Sequence, residues 1–472
     1  MEDYYLFKTL VLSSVLLIIY SVVRLVYSIW WRPIYLEKYF RQQGIGGTSY
    51  KPLHGDREDI KRAAMEALSK PMTLNHQIAP RVMPFYYPMV QTYGKVFLSW
   101  YGSRPRLIIG DAELMRLILL DKNGDFGMVP AFSTSCANLI QRWKSLISCE
   151  GSCELDVAPE FQILASDVIA RTAFGSSYEE GKRIFELQKE QVVLVLEAYT
   201  SFYFPGLRFI PTKRNKLRYK LDKEIKTILR DIIAKKEQAI QRGVIGPAND
   251  LLGLLLQCKD EANQSLRIED VIEECKLFYF AGQETTANLL TWTMILLSMN
   301  PIWQEKARDE VLRVCGKQTP SLEAINHLKI VTMILNEVLR LYPPVTALFR
   351  YTQNKTRIGE MCIPAGVETV LLTLFLHYDP KNWGDDVEEF NPERFSEGVL
   401  KATKDHQVAF MPFGWGPRIC LGQNFAMIEA KMALALILQQ FSFQLSPSYT
   451  HAPRTVITLQ PQHGAPIMLH QI

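Results

Sequence analysis

The stretch "FMPFGWGPRICLG", residues 410–422, sets one cysteine among glycines, aromatics, prolines and a single arginine. Gly414, Gly416 and Gly422 let the backbone turn tightly and lie close to something flat. The apolar run "LGQNFAMIEAKMALALILQQF" follows at once and reads as a helix. The N-terminal amides of that helix are expected to face the Cys420 sulfur and to favour thiolate over thiol. Arg418, two residues upstream, is suited to meet an anionic group on the same ligand through two parallel bonds. A bare Gly-x-Arg-x-Cys-x-Gly is equally compatible with a structural cysteine in a tight turn. Phe413, which completes Phe-x-x-Gly-x-Arg-x-Cys-x-Gly, argues for a ligand instead.

Two other stretches carry chemistry. Ala281-Gly282-Gln283-Glu284-Thr285-Thr286 places a glycine inside a long helical run, at a cost of about 1 kcal/mol relative to alanine. Glycine there permits close approach of a ligand or a neighbouring backbone, and the threonines can bond the preceding turn and bend the helix. Glu337 and Arg340 stand at i and i+3 among Ile334, Leu335, Val338, Leu339 and Leu341, so this ion pair is expected to be buried. Buried pairs need further partners, and Arg394 in "NPERF" is the candidate.

The remaining composition narrows the class. Of 472 residues, 48% are hydrophobic and 22% charged, which suits a large core and argues against disorder. A net charge of +4, with no basic and aromatic run, does not suggest a nucleic-acid partner. The eight cysteines are scattered without zinc-type spacing, so all but Cys420 read as inert thiols in a reducing compartment. "TLVLSSVLLIIYSVVRLVYSIWW", Thr9 to Trp31, is long enough to cross a bilayer and no small-residue cleavage site follows it. Arg24, Arg32, Lys38 and Arg41 on its C-terminal side place the main body in the cytosol. Residues 1–32 are thus read as a single-pass anchor and 33–472 as one large body.

That body reads as mainly α with a minor β-sheet. "GKVFLSWYG" and "RPRLIIGD" form a strand pair, and Ser133 to Gln257 reads as helical. "RIEDVIEECKLFYFAGQETTANLLTWTMILLSMN" is one long helix. "SLEAINHLKIVTMILNEVLRLYPP" is a helix begun by a cap-like serine and stopped by Pro343-Pro344, and "ETVLLTLFLHY" reads as short strands.

Taken together, these residues resemble the cytochromes P-450. Phe413, Gly416, Arg418, Cys420 and Gly422 match the haem-binding signature of that family, Glu337 and Arg340 its Glu-x-x-Arg pair, "NPERF" its partner stretch, and Ala281–Thr286 its oxygen-activating helix motif. The likeness covers roughly residues 80 to 470, and its wording is most similar to the plant microsomal branch with brassinosteroid-, gibberellin-, cytokinin- and terpenoid-modifying members. The resemblance implies a thiolate-ligated haem with Cys420 as axial ligand to iron. It also implies that Glu284 and Thr285 organise water and deliver protons. Phe413 would shield the thiolate, with Gly422 beside it, and Arg418 and Arg350 would meet the haem propionates. Glu337, Arg340 and Arg394 would brace the haem-side scaffold. Electrons would come from NADPH through a separate flavoprotein reductase, the substrate would be an apolar small molecule, and the location would be the endoplasmic reticulum membrane.

The chain departs from the family pattern in one place. Family members carry a substrate-facing loop and then a Trp-x-x-x-Arg helix after the first strand pair. Here "LILLDKNGDF" runs to Phe126, and "GMVPAFSTSCANLIQRW" resumes at what reads as a later element. Several tens of residues are therefore expected to be absent near 126–128. That loss removes donors for the haem propionates and uncovers an apolar face, so haem binding is expected to be weak or absent. Three functions stay open at this point: a monooxygenase, a truncated non-catalytic form that cannot retain haem, and a haem-thiolate isomerase or dehydratase. The intact Glu284-Thr285 pair speaks against the third.

Overall fold

In the computed structural model, residues 13–472 are described apart from 14, 18, 113–114, 116–129, 148–150, 177, 201–208, 244–249, 261–266 and 405–407. The expected gap near 126–128 lies outside the described residues. So does part of the Thr9–Trp31 span.

The first helix, α1 (Val15–Gln42), is long and apolar enough to cross a membrane, and none of its most apolar window is buried. Leu17 and Val23 are exposed along it, with no protein surface covering them. Its C-terminal end is tied to the body. Gln43 donates to the Cys362 carbonyl at 3.0 Å and accepts from the Cys362 N–H at 2.7 Å, while Arg32 reaches the Ala365 carbonyl.

Strands β1 (Val96–Tyr101) and β2 (Arg104–Ile109) pair antiparallel, as their alternating β-rich runs predict. The only Trp-x-x-x-Arg spacing in the chain, Trp100 to Arg104, spans the turn between them and is not on a helix. Helix α2 (Pro130–Leu146) follows, then β3 (Ser152–Asp156), α3 (Val157–Phe174), α4 (Tyr178–Thr200) and α5 (Lys213–Gln241). The strand β3 corrects the reading of Ser133–Gln257 as wholly helical. Its partner, β11, lies some three hundred residues later, and a five-residue edge strand carries no local signal.

The long helix α6 (Ile268–Met299) runs through the centre and packs along α3. Its second half, from Thr286 to Leu297, is buried on every side, as expected of a core helix. Helix α7 (Pro301–Cys315) follows Asn300 directly. The stretch read as one helix from Ser321 is two: a short turn, Leu322–Asn326, capped by Ser321, and α8 (Lys329–Leu341). The break has a tertiary cause. The Glu310 carboxylate on α7 accepts from the N–H groups of Lys329, Ile330 and Val331 at 2.8–3.0 Å, and so caps α8 from outside.

Strands β4 (Leu348–Tyr351), β5 (Thr356–Ile358), β6 (Met361–Ile363) and β7 (Glu368–Leu371) come next. The expected strands in "ETVLLTLFLHY" are correct only for β7, since Thr373–His377 is helical. Helix α9 (Gln423–Gln440) is followed by β8 (Phe441–Leu445), β9 (Pro453–Thr455), β10 (Leu459–Pro461) and β11 (Pro466–Gln471). One sheet has the order β1-β2-β7-β4 and another β3-β11-β8, while β5/β6 and β9/β10 are hairpins. The architecture is therefore mainly helical with small sheets at the margins.

Candidate haem-thiolate site

The loop before α9 is built by its glycines and by one closing hydrogen bond. Gly414 and Gly416 adopt φ of 78° and 72°, a region costly for residues with a Cβ. The Cys420 N–H then donates to the Phe413 carbonyl at 2.8 Å and closes the loop. Phe413 packs half-buried against the core beneath it. Gly422 has an ordinary φ of −86°, and a Cβ built there would have only the Cys420 sulfur within 4 Å, at 3.8 Å. Among the described residues nothing demands glycine at that position.

Cys420 is exposed at the N-terminal end of α9, between exposed Ile419 and Leu421. Although the residue as a whole is exposed, neighbouring protein atoms desolvate the sulfur and raise the thiol above its ordinary value; the Gly422 N–H pulls the other way and does not offset this. The Gly422 amide leans toward thiolate, as expected of the helix terminus. Without a positive charge at the sulfur, desolvation outweighs the amides.

Arg350, on β4, and Arg418 stand near one another although 68 positions separate them in the chain. Burial, and then the Arg418 charge, pull the Arg350 guanidinium below its ordinary value. Arg350 donates to the Phe349 carbonyl at 2.9 Å, and among the described residues neither arginine pairs with a carboxylate. Two neighbouring guanidinium groups suit a dianion, and the thiol two residues after Arg418 suits iron.

On α6, the Thr285 hydroxyl donates to the Ala281 carbonyl at 2.8 Å. Glu284 accepts from Thr458 at 2.8 Å, from Asn288 at 3.3 Å and from Gln162 at 3.4 Å. The three atoms nearest a Cβ built at Gly282 all belong to the Ile169 side chain on α3, with Cδ1 and Cγ1 at 2.7 Å. The mid-helix glycine is required by helix packing. Asn288 was within reach of sequence reasoning, as it sits one turn after Glu284. Thr458, 174 residues away, carried no signal.

The structure brings Glu337, Arg340 and Arg394 together. Arg340 also donates to the carbonyls of His377, Val387 and Glu389, and the Arg394 Nε lies 3.5 Å from Glu337 Oε1. The Asn391 N–H completes the Glu337 set at 2.9 Å. "NPERF" thus supplies both a side chain and a backbone partner to the pair.

A family model described as Cytochrome P450 matches residues 124–463. The chain belongs to the cytochromes P450. The family uses haem with a cysteine thiolate as axial ligand. Among similar proteins, "Cytochrome P450 CYP72A616" of Paris polyphylla is 48% identical, with 94% of this chain and 95% of that protein covered. "Cytochrome P450 CYP72A219" of Panax ginseng is 46% identical, at 94% and 95% coverage. "7-deoxyloganic acid hydroxylase" of Catharanthus roseus is 43% identical over 99% of each chain. This cytochrome P450 is an enzyme of the monooxygenase type, and its N-terminal apolar helix fits a membrane-anchored member.

Proposed function

We propose that this cytochrome P450 hydroxylates an apolar small molecule of the terpenoid or plant-hormone class, with Cys420 as the ligand to iron. The observation that carries the reading is the Cys420 loop, closed on the Phe413 carbonyl at 2.8 Å, with Arg418 on that loop near Arg350 and neither arginine paired with a carboxylate among the described residues. When bound, haem supplies oxygen activation, and its thiolate ligand favours O–O cleavage. Arg350 and Arg418 would hold the two propionates, whose charge would relieve the repulsion between the guanidinium groups. Gly422 leaves open space beside the sulfur for a flat ligand, and Phe413 covers the loop from the protein side. Glu284 holds and moves protons at its carboxylate, and the Thr285 hydroxyl, whose hydrogen goes to the Ala281 carbonyl, keeps its oxygen to accept from water. Glu337, Arg340 and Arg394 hold the segment 383–395 against α8, which keeps the scaffold rigid.

The relative named 7-deoxyloganic acid hydroxylase supports hydroxylation of a terpenoid acid. The exposed helix α1 supports a single-pass anchor in the endoplasmic reticulum membrane with the body in the cytosol. Electrons come from an NADPH-dependent flavoprotein reductase, because the chain has no dinucleotide fingerprint of its own.

A second reading is a truncated form that does not retain haem. The family match begins only at residue 124, beside the expected gap. The alignment to the Paris polyphylla protein runs over 493 residues while using 94% of a 472-residue chain, so that relative has several tens of residues with no counterpart here. The reduced carbon-monoxide difference spectrum of the full chain decides between the two readings. Thiolate-type absorbance that Cys420→Ala abolishes supports the monooxygenase. No absorbance from the unaltered chain supports the truncated form, and absorbance that survives Cys420→Ala refutes the ligand assignment.

A further inference from the structure

We infer that Thr458, at the turn of the β9–β10 hairpin, is the positioning residue that aims the Glu284 carboxylate. The inference rests on the reading of Glu284 as a proton-handling acid. Thr285 does not orient its neighbour, because its hydroxyl is spent on the Ala281 carbonyl one turn back. The shortest bond to Glu284 instead comes from Thr458 Oγ1, at 2.8 Å to Oε1. That hydroxyl is itself held, since Asn288 Nδ2 donates to it at 3.1 Å and also to the Glu284 main-chain carbonyl at 2.8 Å. The three side chains form a closed triangle in which Thr458 both accepts and donates. Its rotor has one hydrogen to give, and the Asn288 bond directs that hydrogen to the carboxylate.

Thr458 is also a fixed point. It is almost completely buried, and its β-branched side chain has little freedom about χ1. The next residue is anchored at both polar groups: the Leu459 carbonyl accepts from Trp292 Nε1 at 3.0 Å, and the Leu459 N–H donates to Pro344 at 2.9 Å. The residue before it, Ile457, is an exposed apolar side chain at the hairpin tip. The acid on α6 is therefore tethered to a hairpin from the far end of the chain, and a displacement of that tip releases it.

The test is isotope-edited infrared spectroscopy of the full chain carrying carboxyl-¹³C glutamate. Subtraction of the Glu284→Gln spectrum isolates the Glu284 carboxylate band, and this readout does not depend on haem. Thr458→Val, nearly isosteric, is expected to shift that band, and Thr458→Ser, which keeps the hydroxyl, to leave it in place. An unshifted band in Thr458→Val overturns the inference. So does a change of equal size when Thr458→Val is made in the Glu284→Gln background. In the haem-loaded protein with reductase, Thr458→Val is expected to raise the fraction of NADPH electrons released as hydrogen peroxide at least twofold, with Thr458→Ser near the unaltered chain. A band that shifts while Glu284→Gln itself keeps normal coupling leaves Thr458 as the positioning residue and removes the proton-handling role of Glu284.

Discussion

Glu337 and Arg340 are both fully buried and are joined by two parallel bonds, Nη2 to Oε1 at 2.6 Å and Nε to Oε2 at 2.8 Å. Every other donor on the Arg340 fork that the structure describes goes to a main-chain carbonyl, so the charge has no route to water. Removing the carboxylate strands a guanidinium in the core, and Glu337→Ala is expected to cost roughly 3–5 kcal/mol. Arg340→Lys is also expected to destabilise strongly, because an ammonium cannot span the carboxylate and three carbonyls at once. Urea denaturation of the detergent-solubilised chain measures both. A loss under 1 kcal/mol for Glu337→Ala would show that the pair braces nothing.

Gly282 sets helix propensity against packing. Alanine there gains about 1 kcal/mol of helix propensity. It also drives a methyl group into Ile169, whose Cβ is only 3.2 Å from the new atom, and such overpacking typically costs about 1–3 kcal/mol. Gly282→Ala is therefore expected to lower the denaturation midpoint, and Ile169→Ala in the same chain to recover part of the loss. A stabilised Gly282→Ala would refute the packing account.

A buried chain of rings sets the acid stability. His76 Nδ1 meets the Tyr342 hydroxyl at 2.9 Å, His451 Nε2 meets the same hydroxyl at 3.2 Å, and Tyr449 bonds His451 Nδ1 at 2.8 Å. Burial is the main cause that lowers His76 and His451 to about 4 and His377 to about 3. These values lie below the unfolded value of 6.5, so the folded chain refuses protons that the unfolded chain takes up. The contribution of these histidines to stability is complete above about pH 6.5 and falls as the pH drops toward 4, by about 2 kcal/mol per histidine at pH 5. Denaturation midpoints at pH 7.5 and pH 5 test this, and His451→Gln is expected to flatten the difference. An equal difference with and without His451 would exclude it as a contributor.

Cys420 is exposed, whereas Cys136 and Cys275 are fully buried. Brief alkylation of the haem-free chain is expected to label Cys420 ahead of those two, because access to the sulfur precedes reactivity. Haem bound at Cys420 is expected to abolish that labelling, as read by peptide mass spectrometry. Full labelling in a haem-loaded preparation would contradict the ligand assignment.

Much of this arrangement is local and was legible in the residues themselves. The glycines at 414 and 416, the arginine and cysteine after them, and the helix that follows all depend on neighbours within a few positions. The same is true of α1, whose apolar run needs only its length to be read, and of the i, i+3 placement of Glu337 and Arg340. Periodicity and turn chemistry act over one or two turns, so a single chain displays them openly.

The rest was decided by topology. Nothing near Leu328 explains why a helix restarts there; the cause is Glu310 on another helix. The need for glycine at 282 comes from Ile169, the repulsion at Arg350 from Arg418, and the aim of Glu284 from Thr458. Each of these pairs is far apart in sequence, and apart from Arg418 the partner has no distinctive local pattern. Hydrogen-bond satisfaction, charge repulsion and close packing are set by whichever atoms the fold brings within a few ångströms. The sequence by itself determined which residues could hold a ligand; only the tertiary structure decided which of them face one another.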